Sequence, residues 1–173
     1  NEMINFSPPG GVYTHVSGTD LIKHTDGKYY VLEDNLRCPS GVSYVLKNRD
    51  ALKKTVNSLF KNIKVEPVAK YPMELLLTMQ SVANQKSTGQ APNCVILTPG
   101  EFNSAYFEHA FLAQKMGVRL VEGRDLMVED NKVYVKTTNG NARVDVIYRR
   151  IDDSFLDPDY FRKDSVLGVK GLI

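Results

Sequence analysis

"CVILTPGEFNSAYFEHAFLAQKMGVRLVEG", residues 94–123, decides the reading of the fold. It opens on Cys94-Val95-Ile96-Leu97, a short continuous apolar run of the kind a strand buried on both faces needs. A segment with helical spacing follows from Glu101 and stops at Gly117, a residue that takes a left-handed cap at little cost. "VRLVEG" is a second short apolar run. Strand, helix, strand in that order predicts a right-handed crossover and parallel pairing.

Working outward, "LMVEDNKVYVKTT" (126–138) reads as a β-hairpin turning at Asp130-Asn131, and "VDVIYRRID" (144–152) as a further buried strand that ends in charges. Upstream, "YPMELLLTMQSVANQ" (71–85) reads as a helix with Pro72 in its first turn. "QKSTGQAPN" (85–93) is a polar connector. Residues 67–173 therefore read as a Rossmann-like parallel sheet with a β-hairpin insertion. Glu66-Pro67 is the expected boundary.

Before it, "NRDALKKTVNSLFKN" (48–62) spaces Ala51, Leu52, Val56, Leu59 and Phe60 along one helical face, with Asn48 or Asp50 as cap. Residues 1–12 are loop-like around Pro8-Pro9-Gly10-Gly11. "VYTHVSGTDLI" (12–22) reads as a strand interrupted at Gly18, "YYVLE" (29–33) as its returning partner, and Asp26-Gly27 as the turn between them. The class is α/β, with a small antiparallel hairpin and helix over 1–66 ahead of the parallel sheet.

Composition sets limits. The chain has 173 residues, 42% hydrophobic and 24% charged, with a net charge of +2. That is an ordinary globular balance, and it argues against nucleic acid as a partner. No apolar run approaches the roughly 20 residues of a membrane span, and no signal peptide is visible. Cys38 and Cys94 lack metal-ligand spacing and read as free thiols in a reducing, cytoplasmic setting. The first residue is Asn1, and the last stretch, "VLGVKGLI", carries no polar tail; the expectation is a piece of a longer protein.

The chemistry concentrates in "YYVLEDNLRCPSGVSYVL" (29–46), where an apolar strand of buried character stops on acids and an amide beside an arginine. Side chains alternate along a strand, so Glu33 and Asn35 share a face and Asp34 points away. If the hairpin register sets Asp20 opposite them, two carboxylates and an amide oxygen converge, a donor set that suits Mg²⁺. Arg37 returns to the same side and can grip a phosphate. The alternative is that Asp34-Asn35 only forms the turn leaving the strand and Asp20 caps a loop.

Asp20, the Asp-Gly hairpin and Glu33-x-Asn35-x-Arg37 resemble the catalytic strands of ATP-grasp ligases. Together with "LTPGEFNSAYFEHAFLAQKMGV", "LVEGRDL" and "VDVIYRRIDDSFLDP", the string resembles the circularly permuted ATP-grasp type 2 proteins, which are similar to the glutathionylspermidine synthetase group. The resemblance covers almost the whole chain. It implies an ATP- and Mg²⁺-dependent carboxylate–amine ligase acting through an acylphosphate, with small-molecule or peptide substrates and the rest of its own polypeptide as partners. It makes Asp20, Glu33 and Asn35 the metal ligands and Arg37 the catalytic contact to the transferred phosphate. It also implies a permuted order, with the metal-ligand strands over 1–66 first and the Rossmann-like half second. Members of the family are longer and carry a glycine-rich, lysine-bearing ATP loop that this chain lacks, so the isolated chain is expected to be inactive. They usually have threonine where Cys38 stands, which argues against a catalytic thiol there.

In the second half, Asn103, Ser104 and Tyr106 follow the carboxyl end of a buried strand, where ligands of α/β sheets bind, and Arg150 ends another. These four are candidates for cofactor or substrate contact. The alternatives are that Glu101, Asn103 and Ser104 cap the helix, and that an arginine of Tyr148-Arg149-Arg150 pairs with Asp152 or Asp153. Glu108 and His109 lie mid-helix on different faces, and His109 reads as a solvated or core histidine. Arg124-Asp125 is another strand-end pair, for which the alternative is a salt bridge alone. No Ser-His-Asp or Cys-His arrangement is evident. A function of another class is a non-catalytic module binding a peptide or small anion at the strand-end cleft.

Overall fold

A computed structural model describes residues 4–83 and 90–173. The polar connector lies mostly outside the described residues, as do the last two residues of the predicted 71–85 helix and the first three of the predicted amino-terminal loop. The chain is mixed α/β and divides into two compact units, residues 1–39 and 40–173.

The first unit is a β-hairpin. Strands β1 (Gly18–Lys23) and β2 (Tyr29–Asn35) pair antiparallel. The loop between them puts only Gly27 at positive φ, +82°, and the Gly27 amide donates to the His24 carbonyl. This matches a three-residue hairpin loop closed by one left-handed glycine rather than a two-residue Asp-Gly turn. The predicted strand over 12–22 starts only at Gly18. Gly18 pairs with Asn35, where β2 ends, and residues 12–17 have no partner strand among the described residues. The sequence expects a buried β2, yet all seven of its residues are exposed, Tyr29 to 67% and Leu32 to 66%.

The second unit is built on a parallel sheet. Helices α1 (Val42–Thr55), α2 (Asn57–Asn62) and α3 (Tyr71–Ser81) come first. α1 starts at Val42, not near Asn48 or Asp50, and Val56, with a non-helical backbone, separates it from α2. Strand β3 (Cys94–Leu97) leads into helix α4 (Tyr106–Met116) and strand β4 (Arg119–Val121). α4 ends at Gly117 with φ of 69°, as the glycine cap predicts. Strands β5 (Leu126–Glu129), β6 (Lys132–Thr137) and β7 (Gly140–Val144) make a separate antiparallel sheet. Its first turn holds Asp130 and Asn131 at φ of 49° and 55°, the two left-handed positions of a tight hairpin. The predicted insertion thus has three strands rather than two. Strand β8 (Val146–Arg149) and the short helix α5 (Asp153–Leu156) follow.

The parallel sheet has the order β4-β3-β8, with β3 central and parallel to both neighbours. All four residues of β3 are buried, as its unbroken apolar run demands. Val95, Leu97 and Val121 share one core with Leu126, Val135 and Val144 of the antiparallel sheet and with Ile151, Leu156 and Val169. Each large side chain so buried contributes about 1.5–3 kcal/mol. The last segment is locked by close backbone approach: a Cβ on Gly168 would lie 2.1 Å from the Phe155 carbonyl oxygen, and one on Gly123 would lie 2.4 Å from the Gly168 carbonyl oxygen. Asp157, fully buried, accepts the amides of Asp159 at 2.9 Å and Ile173 at 3.0 Å.

A functional division near Glu66-Pro67 stays a proposal about domain organisation. The compact units part at Pro39-Ser40, and α1 packs against α4 within the second of them.

Candidate functional site

The hairpin register answers the question that spacing left open. Asp20 is the direct partner of Glu33 across the two strands. Directly opposed residues of an antiparallel pair present their side chains to the same face, with Cβ atoms about 4.5–5.5 Å apart. The Asn35 side-chain amide lies 3.3 Å from Glu33 Oε1. Asp34 is engaged elsewhere, accepting the Thr19 hydroxyl at 2.6 Å. A register shift follows at once: Asp20 faces Glu33 but Leu21 faces Val31, so Leu32 is the extra residue of a β-bulge. Bulges of this kind re-aim neighbouring side chains.

Asp20, Glu33, Asn35 and Arg37 are all exposed. Among the described residues no three His, Cys, Asp or Glu side chains are grouped to hold a metal. The hairpin set is two carboxylates and one amide. Such a sparse, hard, oxygen-rich set suits Mg²⁺, which keeps several waters and takes further ligands from phosphates.

A second polar cluster lies in the other unit, at the carboxyl ends of β3 and β8. The Glu108 carboxylate, 1% exposed, is its hub. Glu108 Oε2 accepts the Gly41 amide at 2.7 Å, the Ser43 amide at 3.0 Å and the Ser43 hydroxyl at 2.8 Å. Helix α1 has no side-chain cap of its own. A carboxylate from α4 therefore satisfies its first orphan amides and its positive end. Glu108 Oε1 accepts from Arg150 Nη2 at 3.3 Å, and Arg150 Nη1 donates to the Tyr148 hydroxyl at 3.2 Å. His109 shares a 2.8 Å hydrogen bond with the Thr98 hydroxyl, which also accepts the Gly100 amide. Burial, and then the Arg150 guanidinium, push the His109 imidazole down to about 4; Glu108 pulls more weakly the other way. Tyr71 is raised above the usual phenol range by burial, then by Tyr148 and Glu108.

The other predicted contacts divide. Asn103 Oδ1 accepts the Ala105 amide at 2.9 Å, a local turn just ahead of α4, whose start carries no side-chain cap, so the capping alternative is not what the structure shows. Ser104 is exposed, and Tyr106 opens α4 half-buried. Arg150 is buried on Glu108, while Arg149 pairs with Asp153. Arg124 pairs with Glu122 at 3.1 Å rather than with Asp125. His109 is buried, the core alternative, and among the described residues neither cysteine is in a disulfide. Sequence reasoning did not single out Glu108 with Ser43, Thr98 and Tyr71 as a cluster. The available signal was a Glu-His pair inside an otherwise apolar helix.

Comparison with known proteins gives the decisive observation: the profile of circularly permuted ATP-grasp type 2 proteins matches residues 1–173. The chain belongs to the circularly permuted ATP-grasp type 2 family. Relatives of this ATP-grasp chain include an uncharacterised protein of Synechocystis sp. (strain ATCC 27184 / PCC 6803 / Kazusa), 55% identical over 98% of this chain and 35% of that protein. An uncharacterised protein of Mycobacterium tuberculosis (strain ATCC 25618 / H37Rv) is 54% identical over 99% of the chain and 31% of its own length. A protein of Frankia casuarinae, provisionally named glutamate–cysteine ligase 2-2, is 39% identical over 86% of the chain and 17% of its length. The ATP-grasp chain spans about a third of the length of the two uncharacterised relatives. Among its described residues no helix is long and apolar enough to cross a membrane.

Proposed function

We propose that this chain is part of an ATP-dependent carboxylate–amine ligase that acts through an acylphosphate on small-molecule or peptide substrates in the cytoplasm. The observation that carries the reading is the direct pairing of Asp20 with Glu33, with Asn35 against the same carboxylate. In it, Asp20, Glu33 and Asn35 hold Mg²⁺, which when bound offsets charge on the ATP phosphates. Arg37 donates to the transferred phosphate, for which a guanidinium's planar fork is suited. Asn103, Ser104, Tyr106 and Arg150 serve the substrate side. Family membership supports the class, and the Frankia relative's name is that of a carboxylate–amine ligase.

The test is ADP release by the full-length polypeptide with Mg²⁺ and ATP. Glu33→Gln keeps the shape and removes the charge, and should lower turnover at least about 100-fold. Turnover unchanged in Glu33→Gln would sink the metal assignment. The 173-residue chain alone should not turn over. ATP hydrolysis by that chain, abolished by Glu33→Gln, would show the missing loop to be dispensable.

A second reading, a binding module for a small anion or peptide, draws on one observation, the buried Arg150 at the strand ends. It requires that the full-length polypeptide show no nucleotide turnover.

A further inference from the structure

The order β4-β3-β8 contains a topological switch point. From β3 the chain crosses through α4 to β4 on one side, and β8 occupies the other side. The crevice outside the carboxyl ends of β3 and β8 is where open α/β sheets bind ligands. Thr98 and Arg150 are the first residues beyond those two strand ends. The Thr98 amide donates to Val121 and the Arg150 amide to Leu97, so both positions are fixed by the sheet.

Several charged groups and helix ends meet at this crevice. Two helix N-termini meet on Glu108: α1, of 14 residues, whose Gly41 and Ser43 amides Glu108 accepts, and α4, of 11 residues, whose first turn contains Glu108. Each N-terminus carries about half a positive charge, and Arg150 adds a full one. Glu108 supplies a single negative charge against them, and His109 is neutral above about pH 4. Over these groups alone the balance leans positive.

An independent observation points the same way. The Arg150 side chain is 2% exposed, yet its Nε has no hydrogen-bond partner among the described residues. A buried N–H left unpaired costs roughly 1–3 kcal/mol, more on a charged group. Nε and Nη2 form the edge of a guanidinium that a carboxylate grips with both oxygens. Glu108 uses only Nη2 of that edge, because its Oε2 is committed to the start of α1. Half of the fork remains for another oxygen.

We propose that the switch-point crevice is a carboxylate-binding site, in which Arg150 Nε donates to an oxygen of a small-molecule carboxylate while Nη2 stays on Glu108 and Nη1 on the Tyr148 hydroxyl. The ligand is a small acid with a carboxylate that does not react, a dicarboxylic acid or an amino acid. This deepens the ligase reading and rests on it only for the statement that the ligand is a substrate. It makes Arg150 a specificity-determining residue.

The experiment is nuclear magnetic resonance of arginine Nε–H groups in the 173-residue chain, without ATP or Mg²⁺. The Arg150 signal is identified by its loss in Arg150→Lys. Glutarate, glycine and the uncharged glutaramide are titrated in turn. The expected result is a saturable shift of the Arg150 signal with a millimolar Kd, and at least about tenfold weaker binding to Arg150→Lys, which keeps the charge but loses the fork. A response to glutarate alone assigns the site to the acid partner; a response to glycine as well assigns it to an amino-acid partner. Either supports the site. An Nε–H unmoved by both acids, or moved equally by glutaramide, overturns it, and the wild-type titration decides this even if Arg150→Lys fails to fold. The two readings separate cleanly. Carboxylate binding without nucleotide turnover in the full-length polypeptide sinks the ligase alone; turnover with an unmoved Nε–H sinks this site alone.

Discussion

Moving the protein from pH 7 to pH 5 should cost it about 2 kcal/mol of stability through one residue, His109. The imidazole is 1% exposed and hydrogen-bonded to Thr98; burial first, and the Arg150 guanidinium second, lower its pKa to about 4 from an ordinary 6.5. As the pH drops through 6.5, the unfolded chain takes up a proton that the folded chain refuses until about 4. In that window the unfolded state binds more protons, so stability falls as pH falls, and the loss is complete below about 4. One pKa unit is worth about 1.4 kcal/mol, and pH 5 lies about 1.5 units below the ordinary value, which gives roughly 2 kcal/mol. Asp26 and Asp157 sit below the usual carboxylate range: Asp26 chiefly through the Lys28 amide, and Asp157 because backbone amides outweigh its burial. They act at lower pH. Urea unfolding at pH 7 and pH 5, on the wild type and on His109→Gln, isolates the effect as a difference of differences. The wild type should lose about 2 kcal/mol more than the variant. An equal loss in both proteins would show that His109 is protonated in the fold near its ordinary pKa, and the argument from burial would fail.

Two further outcomes follow from the packing. Glu108→Gln and Arg150→Met should each destabilise by about 3–5 kcal/mol, because each strands a buried partner, while the double variant should cost much less than their sum; denaturant unfolding of all four proteins measures the coupling. Gly168→Ala should cost about 2–3 kcal/mol, since the new methyl meets the Phe155 and Leu156 carbonyl oxygens at 2.1 and 2.3 Å and backbone must move, and thermal unfolding reads it.

The βαβ unit was legible because its signals are local: four apolar residues in a row at Cys94–Leu97, and a glycine where α4 must stop. The left-handed turn at Asp130-Asn131 was legible for the same reason. The start of α1 was not, because the group that caps it, Glu108, lies 67 residues beyond Gly41 in the chain. Strand β7, "GNARV", offers only Ala142 and Val144 to a core, too little to announce an edge strand. Residues 12–17 carry β-forming side chains but meet no partner strand among the described residues, and pairing is a property of two segments rather than one. At the hairpin, spacing gave the shared face of Glu33 and Asn35, while the Asp20 register needed the fold. Arg150 looked like a strand-end arginine, but its sequence neighbours gave no hint of Glu108, brought to it by α4.

The central claim is that Asp20, Glu33 and Asn35 form one cation site. It is tested most directly by diffraction from the full-length polypeptide crystallised with Mn²⁺ and a non-hydrolysable ATP analogue, recorded at the manganese absorption edge. The account predicts an anomalous peak with oxygen atoms of all three side chains at roughly 2.0–2.3 Å, hard-cation distances. A nucleotide-bound manganese ion held by other residues, with Asp20 and Glu33 turned away from it, would contradict the account.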